Sequence, residues 1–521
     1  MPGRHLMQTP KPRPQARRSG ARGALTLMVG TLASRLSGLL RQTLMVNLFA
    51  QEVLAAFLVA TRIPNLFREL LAEGALSNAF VPVYRSLPPE ERRELSGALL
   101  KLLLGVNALL VGAAMWAAPA VVTLLLGGTA TDIDYDLTVR LTRLVFPFLA
   151  AISLAALIMG ILNAEERFAA PAWAPVAFNA VTIALMLLFP GQATTLAVAF
   201  VLGGVAQLFV QVPALLGLGV FPALAAPWHR SLGRVLVLAG PFTFTTGARQ
   251  LLNLVAYRVL NTLPSASANV VAFENANLVF MLALALFSVS PAVAFYSRLS
   301  ADAHEAPEAF SHTLLSGLRL ISFLTVPAGL FTLVLAGPAI ETLFNWSGRV
   351  DPDYRLMLSL SASALAPLGL AIFPWGVNNL LIRPFYVREN IRTPVMINVV
   401  FISLNALLYF LLAPRYGLVG MSWSTVLVGW LQLAVLLFWM RRDEGLEVAA
   451  FVRHAARVWL AAGFGAGLAY LALLLVAFPA GWPGFGLQAA LGGGVAALTF
   501  GAAAAALRLP ELEPLVSRFG R

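Results

Sequence analysis

The chain has 521 residues, of which 59% are hydrophobic and only 12% are charged, and its formal net charge is +12. A soluble protein carries about 25% charged residues, so this composition excludes a soluble globular chain and is typical of a polytopic membrane protein. The lack of cysteine excludes disulfides and thiolate metal sites, and no GxxxxGK[ST] or GxSxG motif is present.

Residues 1–23 are basic and rich in proline and glycine, which predicts a disordered tail. Apolar runs long enough to cross a bilayer then follow along the whole chain. The predicted fold is therefore an all-α polytopic membrane protein with about 14 transmembrane helices. The predicted spans, numbered from the N-terminus, cover residues 24–49, 52–84, 97–126, 137–163, 172–189, 194–221, 232–262, 270–297, 313–345, 355–382, 395–413, 418–440, 455–478 and 487–507.

Spans 1 and 2 contain four arginines, Arg35, Arg41, Arg62 and Arg68, within otherwise apolar sequence. An arginine near the bilayer centre costs roughly 2.5–3.5 kcal/mol, so four that faced lipid would cost on the order of 10 kcal/mol. We therefore expect these side chains to line a water-filled cavity and to bind an anionic head group, because the planar guanidinium suits phosphate. The alternatives are snorkelling to an interface and pairing with local acids such as Glu69.

Helix-weakening residues lie between the members of each pair, Gly38 in span 1 and Pro64 in span 2. Side chains six residues apart lie about 120° apart on a straight helix, so a bend would help both to border one wide cavity. Neutral polar residues nearby either complete the site or form interhelical hydrogen bonds. These residues are Ser34, Ser37, Gln42, Asn65, Ser77 and Asn78.

The charges of the loops set the predicted topology. Arginines concentrate in alternate loops, whereas the loop at residues 129–136 is purely acidic. The positive-inside rule then places both termini in the cytoplasm, and it accounts for the net charge without a nucleic-acid partner.

A short sequence pattern occurs twice in the chain and indicates an internal repeat. Span 5 begins with Pro-Val-x-x-Asn at residues 175–179, and span 11 begins with the same pattern at residues 394–398. The offset of six spans predicts two six-helix lobes related by a parallel repeat, with two extra helices appended. The predicted domains are an N-terminal lobe at 24–230, a C-terminal lobe at 231–442, spans 13 and 14 at 443–509, and a cytoplasmic tail at 510–521.

Spans 7 and 8 add ionisable residues, with Arg249 near the middle of span 7, Arg258 near its outer end and Glu274 near the outer end of span 8. Glu274 is a candidate counter-ion for either arginine, and a purely structural ion pair is the alternative. No cluster is typical of a catalytic centre and the histidines are scattered, so neither an enzyme nor a metal protein is predicted. The small residues of spans 13 and 14 favour close helix packing, with a groove for a lipid tail as the alternative.

Four stretches of the sequence carry a resemblance to one protein family. They are Ser34-Arg35 through Gly38 to Arg41; RIPNLFRELLAEGALSNAFVPV at residues 62–83; FPFLAAISLAALIMGILNAEERFAAPAWAPVAFN at residues 146–179; and RPFYVRENIRTPV at residues 383–395. Chance similarity between apolar helices does not supply those polar residues in order. The chain therefore resembles the MurJ (MviN) family of lipid II flippases, in the multidrug/oligosaccharidyl-lipid/polysaccharide exporter superfamily.

The resemblance implies a multi-pass protein of the cytoplasmic membrane that moves lipid II, a diphosphate-linked peptidoglycan precursor, to the outer leaflet by alternating access. It implies that the family's cavity arginines fall on Arg35, Arg41 and Arg68, and that a groove at spans 13 and 14 holds the lipid tail. No cofactor is expected, and the energy would come from the membrane potential or a monovalent ion. The expected state is a monomer among membrane lipids, with cell-wall synthesis proteins as candidate partners.

Two positions depart from the family pattern. The family's early span-2 aspartate falls on Ala55 and its span-8 arginine falls on Asn277, so the cavity has lost one acid and one base together. Arg249 or Arg258 is a candidate replacement for the missing positive charge. The further candidate cavity residues are Arg62, Asn65, Glu274 and Asn277.

Other functions stay open on the sequence alone. Within the superfamily these are a flippase for another lipid-linked oligosaccharide and a multidrug antiporter, although a cationic drug favours acids and this predicted cavity is basic. A polytopic glycosyltransferase would need acidic metal ligands in a large aqueous loop, and the predicted loops are short. A scaffold for cell-wall assembly would act through its partners alone.

Overall fold

The computed structural model describes residues 14–70, 76–127, 131–223, 228–302, 307–390 and 392–512. Side chains are described throughout these ranges except at residues 14–28, 76–78, 241–246, 248–249, 297 and 307–308. The candidate residues Ser77, Asn78 and Arg249 therefore lie outside the described side chains, and most of the two predicted tails lies outside the described part of the chain.

The first half of the described chain is a series of helices joined by short turns. Its first helix begins at Pro14, well before the predicted start at residue 24, in keeping with the tolerance of a helix's first turn for proline. The helices are α1 (Pro14–Leu48), α2 (Gln51–Ala60), α3 (Arg62–Leu70), α4 (Leu76–Arg85), α5 (Pro89–Trp116), α6 (Ala118–Leu126), α7 (Tyr135–Val145), α8 (Phe148–Ala164), α9 (Ala169–Leu188), α10 (Ala193–Phe209) and α11 (Val212–Leu216).

The second half continues in the same way, and the described residues contain no β-strand. A π-helical stretch at Ala285–Val289 joins two of its helices, and a short 3₁₀ turn at Pro510–Leu512 follows the last one. The helices are α12 (Ser231–Leu260), α13 (Ala266–Leu284), α14 (Ser290–Asp302), α15 (Pro307–Phe344), α16 (Pro352–Leu381), α17 (Arg383–Val387), α18 (Arg392–Asp443), α19 (Val448–Leu475) and α20 (Trp482–Ala506).

Ten helical segments in the described ranges are long and apolar enough to cross a membrane. One of them, α18, contains predicted spans 11 and 12, and its helical backbone is interrupted at Gly417, where a φ of 59° favours glycine. The spans outside these ten are 1, 2 and 7, which coincide with α1, with α2 to α4, and with α12. Each predicted span thus corresponds to a helical segment, which confirms the all-α polytopic fold.

Of the two predicted bends, the one in span 2 is present and the one in span 1 is not. Span 2 breaks at Thr61, between α2 and α3, because Pro64 has no backbone N–H with which to continue the hydrogen-bond ladder. Gly38 does not interrupt α1, since a single glycine weakens a helix by only about 1 kcal/mol. Its missing side chain instead leaves room for Asn179, whose Nδ2 lies 3.7 Å from the place of a Cβ.

Loop contacts define two ends of the bundle. At the acidic end, Asp132 in the loop before α7 accepts from Ser267 at the start of α13, and Asp351 caps α16. At the basic end, Arg85 at the end of α4 donates to the carbonyl of Ala164 at the end of α8. The acidic loop before α7 and the contact of Arg85 with Ala164 therefore lie at opposite ends of the segment Tyr135–Ala164.

The two halves of the chain share one large apolar cluster. Buried side chains such as Leu54 and Val139 belong to the same cluster as Val270 and Met357. A second cluster, from Ala292 to Leu509, lies toward the basic end, and its buried members all belong to the second half. Apart from Leu232 and Val235 at the start of α12, the second-half members of the shared cluster lie toward the acidic end and the middle of the bundle.

Two pairs of helices pack alike at an offset of six spans. In the first half α9, which is span 5, packs along α1, which is span 1. In the second half α18, which begins with span 11, packs along α12, which is span 7. Equivalent spans thus make equivalent contacts six spans apart.

Spans 13 and 14 form a closely packed pair. α19 packs along α20, and both also contact α15. A Cβ at Gly465 of α19 would lie 2.8 Å from the carbonyl oxygen of Ala496 in α20, and a Cβ at Gly492 would lie 2.6 Å from Leu335. Close packing is therefore confirmed at these two glycines.

We expect Gly465→Leu to destabilise the protein by about 1–3 kcal/mol, because the added side chain must force the backbones of α19 and α20 apart. The readout is the midpoint of thermal unfolding in detergent. Gly467→Leu is the matched control, because a Cβ at Gly467 meets nothing within 4 Å. Equal midpoints for the two variants would contradict the close-packing interpretation.

Candidate functional site

A cavity of about 480 Å³ lies within the bundle. Its walls come from α1, α2, α3, α8, α9 and α10 of the first half, and Glu274 of α13 is the one described side chain from the second half that lines it. The sequence predicted a cavity shared by both halves, whereas the described lining belongs almost wholly to the first. The polar lining residues are Ser34, Arg41, Gln42, Thr61, Arg62, Asn65, Arg68, Glu69, Asn179, Gln207 and Glu274.

Helix α1 presents one face to the cavity. Ser34, Gly38, Arg41 and Met45 line it at intervals of three and four residues, the spacing that places side chains on one side of a helix. Arg35 lies about 120° around the helix from Arg41 and is not among the lining residues. The structure therefore brings Arg41 to the cavity and leaves Arg35 at its margin.

Asn179 of α9 holds the cavity-facing side of α1 through two hydrogen bonds. Its Nδ2 donates to the Ser34 carbonyl at 3.2 Å and to the Ser37 hydroxyl at 2.9 Å. The residue is the asparagine of the Pro-Val-x-x-Asn pattern at the start of span 5. The pattern that indicated a repeat thus also ties α9 to the arginine-bearing helix.

Helix α3 lies between two cavities of different character. Arg62, Asn65 and Arg68 face the polar cavity. Leu66 and Leu70 face an apolar cavity of about 530 Å³ between α3, α12 and α18. The amphipathic sequence of α3 therefore places positive charge on one wall only.

Arg41 has no carboxylate partner among the described side chains. Its guanidinium lies over the ring of Phe178, 5.3 Å from the centroid, in a cation–π arrangement. Its Nε is buried, and no described protein group accepts a hydrogen bond from it. Arg41 also interacts electrostatically with Arg68 and Glu274 across the cavity. A buried donor on a cation, unused by the protein, is suited to an anionic ligand.

Phenylalanines form the apolar wall behind Arg41. Phe148, Phe178 and Phe200 contact one another, with ring centroids 4.3 to 6.0 Å apart, and Phe57 packs edge-on against Phe200 at 5.8 Å. An apolar wall lowers the local dielectric and strengthens charge interactions inside the cavity.

Arg68 and its neighbour Glu69 lie on the same wall. Their charged atoms are 3.9 Å apart, and both side chains are partly exposed, at 34% and 25%. Gln250 of α12 donates to the Glu69 carboxylate and in turn accepts from Asn253 at 3.2 Å. Glu69 is thus engaged by a neutral amide from span 7 as well as by its neighbour.

Arg62 is held by residues from the second half of the chain. Its guanidinium donates to the Glu274 carboxylate and to the Tyr257 hydroxyl, and it stacks 3.8 Å from the centroid of the Tyr257 ring. Tyr257 in turn donates to Glu274 at 3.0 Å. The lining thus carries three guanidinium groups and two carboxylates, with Arg41 as the one least compensated.

Other predicted candidates lie elsewhere. Arg258 donates to the carbonyls of Leu126 at 3.0 Å and Gly127 at 3.2 Å, so the structure takes it to the end of α6 rather than to the cavity. Asn277 is not among the lining residues, and the side chain of Arg249 is not described. Sequence reasoning missed Tyr257 and Phe178, which look in the sequence like ordinary aromatic residues of apolar spans.

We expect Arg258→Ala to lower the free energy of unfolding by about 1–3 kcal/mol, because two carbonyls at the end of α6 lose a charged donor. The measurement is thermal unfolding in detergent. The control is Arg140→Ala, which removes an exposed arginine of α7 and should leave the midpoint unchanged. A wild-type midpoint for Arg258→Ala would contradict the structural role.

Two comparisons with known sequences agree with this geometry. The family model described as lipid II flippase MurJ matches residues 44–485. The lipid II flippase MurJ of Burkholderia cenocepacia is 32% identical over 82% of this chain and 84% of its own length. A probable lipid II flippase MurJ of Vibrio cholerae is 31% identical over 83% of this chain and 84% of its own length.

Solved structures share the fold. A lipid II flippase MurJ in an inward closed conformation superposes with a TM-score of 0.77 at 20% identity, covering 93% of this chain and 99% of that one. An inward-facing multidrug resistance MATE family transporter superposes with a TM-score of 0.68 at 16% identity, covering 81% and 96%. The chain is a multi-pass membrane protein, and the extent of the sequence match shows that it belongs to the lipid II flippase MurJ family.

Proposed function

We propose that this protein moves lipid II from the inner to the outer leaflet of the cytoplasmic membrane for cell-wall synthesis. The observation that carries the proposal is the buried Nε of Arg41, an unused donor on a cation inside a membrane-embedded cavity. The substrate's diphosphate supplies the acceptor oxygens and the negative charge that this group lacks. A volume of about 480 Å³ lies within the range of small-molecule sites, roughly 300–1,000 Å³.

Arg41 and Arg68 are the proposed head-group ligands. They face the same cavity from α1 and α3, with neutral Asn65 between the arginines of α3. Arg35, which the resemblance also assigns to this role, lies about 9 Å along α1 from Arg41 and adds positive potential to the same region. Sugar and peptide groups of the head would contact the neutral polar lining and the phenylalanine wall.

Alternating access is the proposed mechanism. By the positive-inside rule the basic end faces the cytoplasm, which places both termini there. The head group then binds within the bundle while the lipid tail stays in the bilayer, and a groove beside spans 13 and 14 is its proposed path. Release to the outer leaflet requires the shared core at the acidic end to part. We propose that a monomer completes this cycle and that cell-wall synthesis proteins act beside it rather than within it.

No cofactor enters the proposed cycle, and energy would come from the membrane potential or a monovalent ion. An inside-negative potential favours the return of a positively charged empty cavity by about 2.3 kcal/mol per charge per 100 mV. We expect dissipation of the potential to slow lipid II transfer in proteoliposomes without weakening its binding. Unchanged transfer would leave the monovalent ion as the proposed source.

A multidrug antiporter with a cationic substrate is the second candidate, because a multidrug resistance MATE family transporter shares the fold. The charges of the cavity oppose it. Glu274 is paired with Arg62, and Glu69 accepts from Gln250, so neither carboxylate is free to bind a cation. A flippase for another lipid-linked oligosaccharide shares the diphosphate chemistry, and it would differ from the proposed function in the sugar bound.

We expect Arg41→Ala to abolish complementation of cells depleted of their own lipid II flippase, at normal protein levels. Binding of undecaprenyl diphosphate in phosphatidylcholine nanodiscs should weaken about tenfold or more, because a charge-assisted hydrogen bond contributes roughly 1.5–3 kcal/mol. Arg140→Ala is the matched control, since it removes an arginine outside the cavity. Full complementation by Arg41→Ala would refute the assignment of that residue.

A further inference from the structure

The contact between Arg62 and Glu274 joins the two halves of the chain inside the cavity. Arg62 lies on α3 in the first half, and Glu274 and Tyr257 lie on α13 and α12 in the second. The charged side chains are 15% and 26% exposed, so water screens them little. Among the described side chains, this is the one arginine–carboxylate pair that joins spans 1–6 to spans 7–14.

The pair is the charged, cavity-facing member of a series of contacts across the same junction. Toward the acidic end, Gln51 hydrogen-bonds Ser267 at 3.1 Å and Asn47 accepts from the backbone of Ser347 at 3.0 Å. These outer contacts do not involve residues that line the cavity, whereas Arg62 and Glu274 both line it. Two further lining residues reach the second half through neutral amides, Gln42 to Asn275 at 3.1 Å and Glu69 to Gln250. Glu274 is therefore the one described charged side chain of the second half that a molecule in the cavity meets.

A carboxylate and a phosphate compete for the same face of a guanidinium, because both present paired acceptor oxygens. Glu274 thus occupies on Arg62 the position that an anionic ligand would take. An anion bound at Arg41 would also repel Glu274, since the two residues already interact across the cavity. The ligand therefore both attracts Arg62 and destabilises the carboxylate that holds it.

Building on the proposed function, we propose that Glu274 is an internal stand-in for the substrate's anion. In the empty cavity its carboxylate neutralises Arg62 and holds α3 against α12 and α13. An entering diphosphate takes over Arg62 and releases the one arginine–carboxylate contact that joins the halves among the described side chains. Binding of the head group thereby loosens the junction that must open at the acidic end.

Tyr257 gives Glu274 a second partner once Arg62 has left. The hydroxyl already donates to the carboxylate at 3.0 Å, and it remains on α12 when α3 moves. A carboxylate that kept no partner in this setting would incur a large desolvation penalty. The arrangement of Tyr257 therefore makes the exchange reversible.

The test is the affinity of undecaprenyl diphosphate for the full chain in phosphatidylcholine nanodiscs. We expect Glu274→Gln to bind about tenfold more tightly than the wild type, because the competing charge is gone while the shape is kept. Unchanged or weaker binding would overturn the stand-in role. Glu341→Gln is the matched control: it breaks the Glu341–Arg355 pair, 3.1 Å apart at the acidic end, and should leave the affinity unchanged.

A second variant and a mutant cycle make the test specific. Glu274→Asp keeps the charge on a shorter side chain, so it should tighten binding less than Glu274→Gln, and it serves if the latter does not fold. In an Arg62→Gln background the gain from Glu274→Gln should shrink to the part that comes from repulsion between Glu274 and the bound anion, because the exchange on Arg62 is gone. A gain of undiminished size there would show a general effect of charge and overturn the exchange.

The result also separates this inference from the function on which it rests. If the wild type fails to bind undecaprenyl diphosphate, both the proposed function and the exchange are overturned. If the wild type binds and Arg41→Ala weakens that binding, but Glu274→Gln gives no gain, the exchange alone is overturned.

Discussion

The cost of placing a guanidinium at membrane depth governs this structure. Each described arginine of the cavity meets that cost in a different way. Arg62 is neutralised by Glu274, Arg68 lies beside Glu69, and Arg41 relies on the ring of Phe178 and faces open space. The site is thus basic without being uniformly charged. Arg41 combines a buried Nε that no described protein group uses with the lack of a described carboxylate partner, which suits a transient anionic ligand.

The two halves of the chain contribute differently to the cavity and to the apolar core. The first half builds most of the cavity wall, and the second reaches it through Glu274. The shared core and the outer hydrogen bonds hold the halves together at the acidic end, whereas the second half has a separate core toward the basic end. Halves that share most of their buried contacts away from the basic end, with one described arginine–carboxylate pair between them at the cavity, are suited to alternate between two states, since packed interfaces are bistable rather than continuously deformable.

The helical segments, the break in span 2 and the presence of a cavity were predictable from apolar periodicity and from the cost of placing charge in a membrane. Apolar runs located the helical segments, Pro64 located the break in span 2, and the arginines of spans 1 and 2 indicated a cavity. The directions of side chains were harder to predict, because residues six apart lie about 120° apart around a helix, which separates Arg35 from Arg41. Contacts between distant segments were not predictable at all. Nothing local distinguishes Arg258, which meets carbonyls 132 residues earlier, from Arg62, which meets a carboxylate 212 residues later.

The most direct test of the account is a structure of the full chain in nanodiscs with undecaprenyl diphosphate bound. We expect the diphosphate inside the cavity, with its oxygens within hydrogen-bond distance of Arg41 and Arg68. A diphosphate held outside the bundle while the cavity stays empty, or guanidinium groups that point into lipid, would contradict the account.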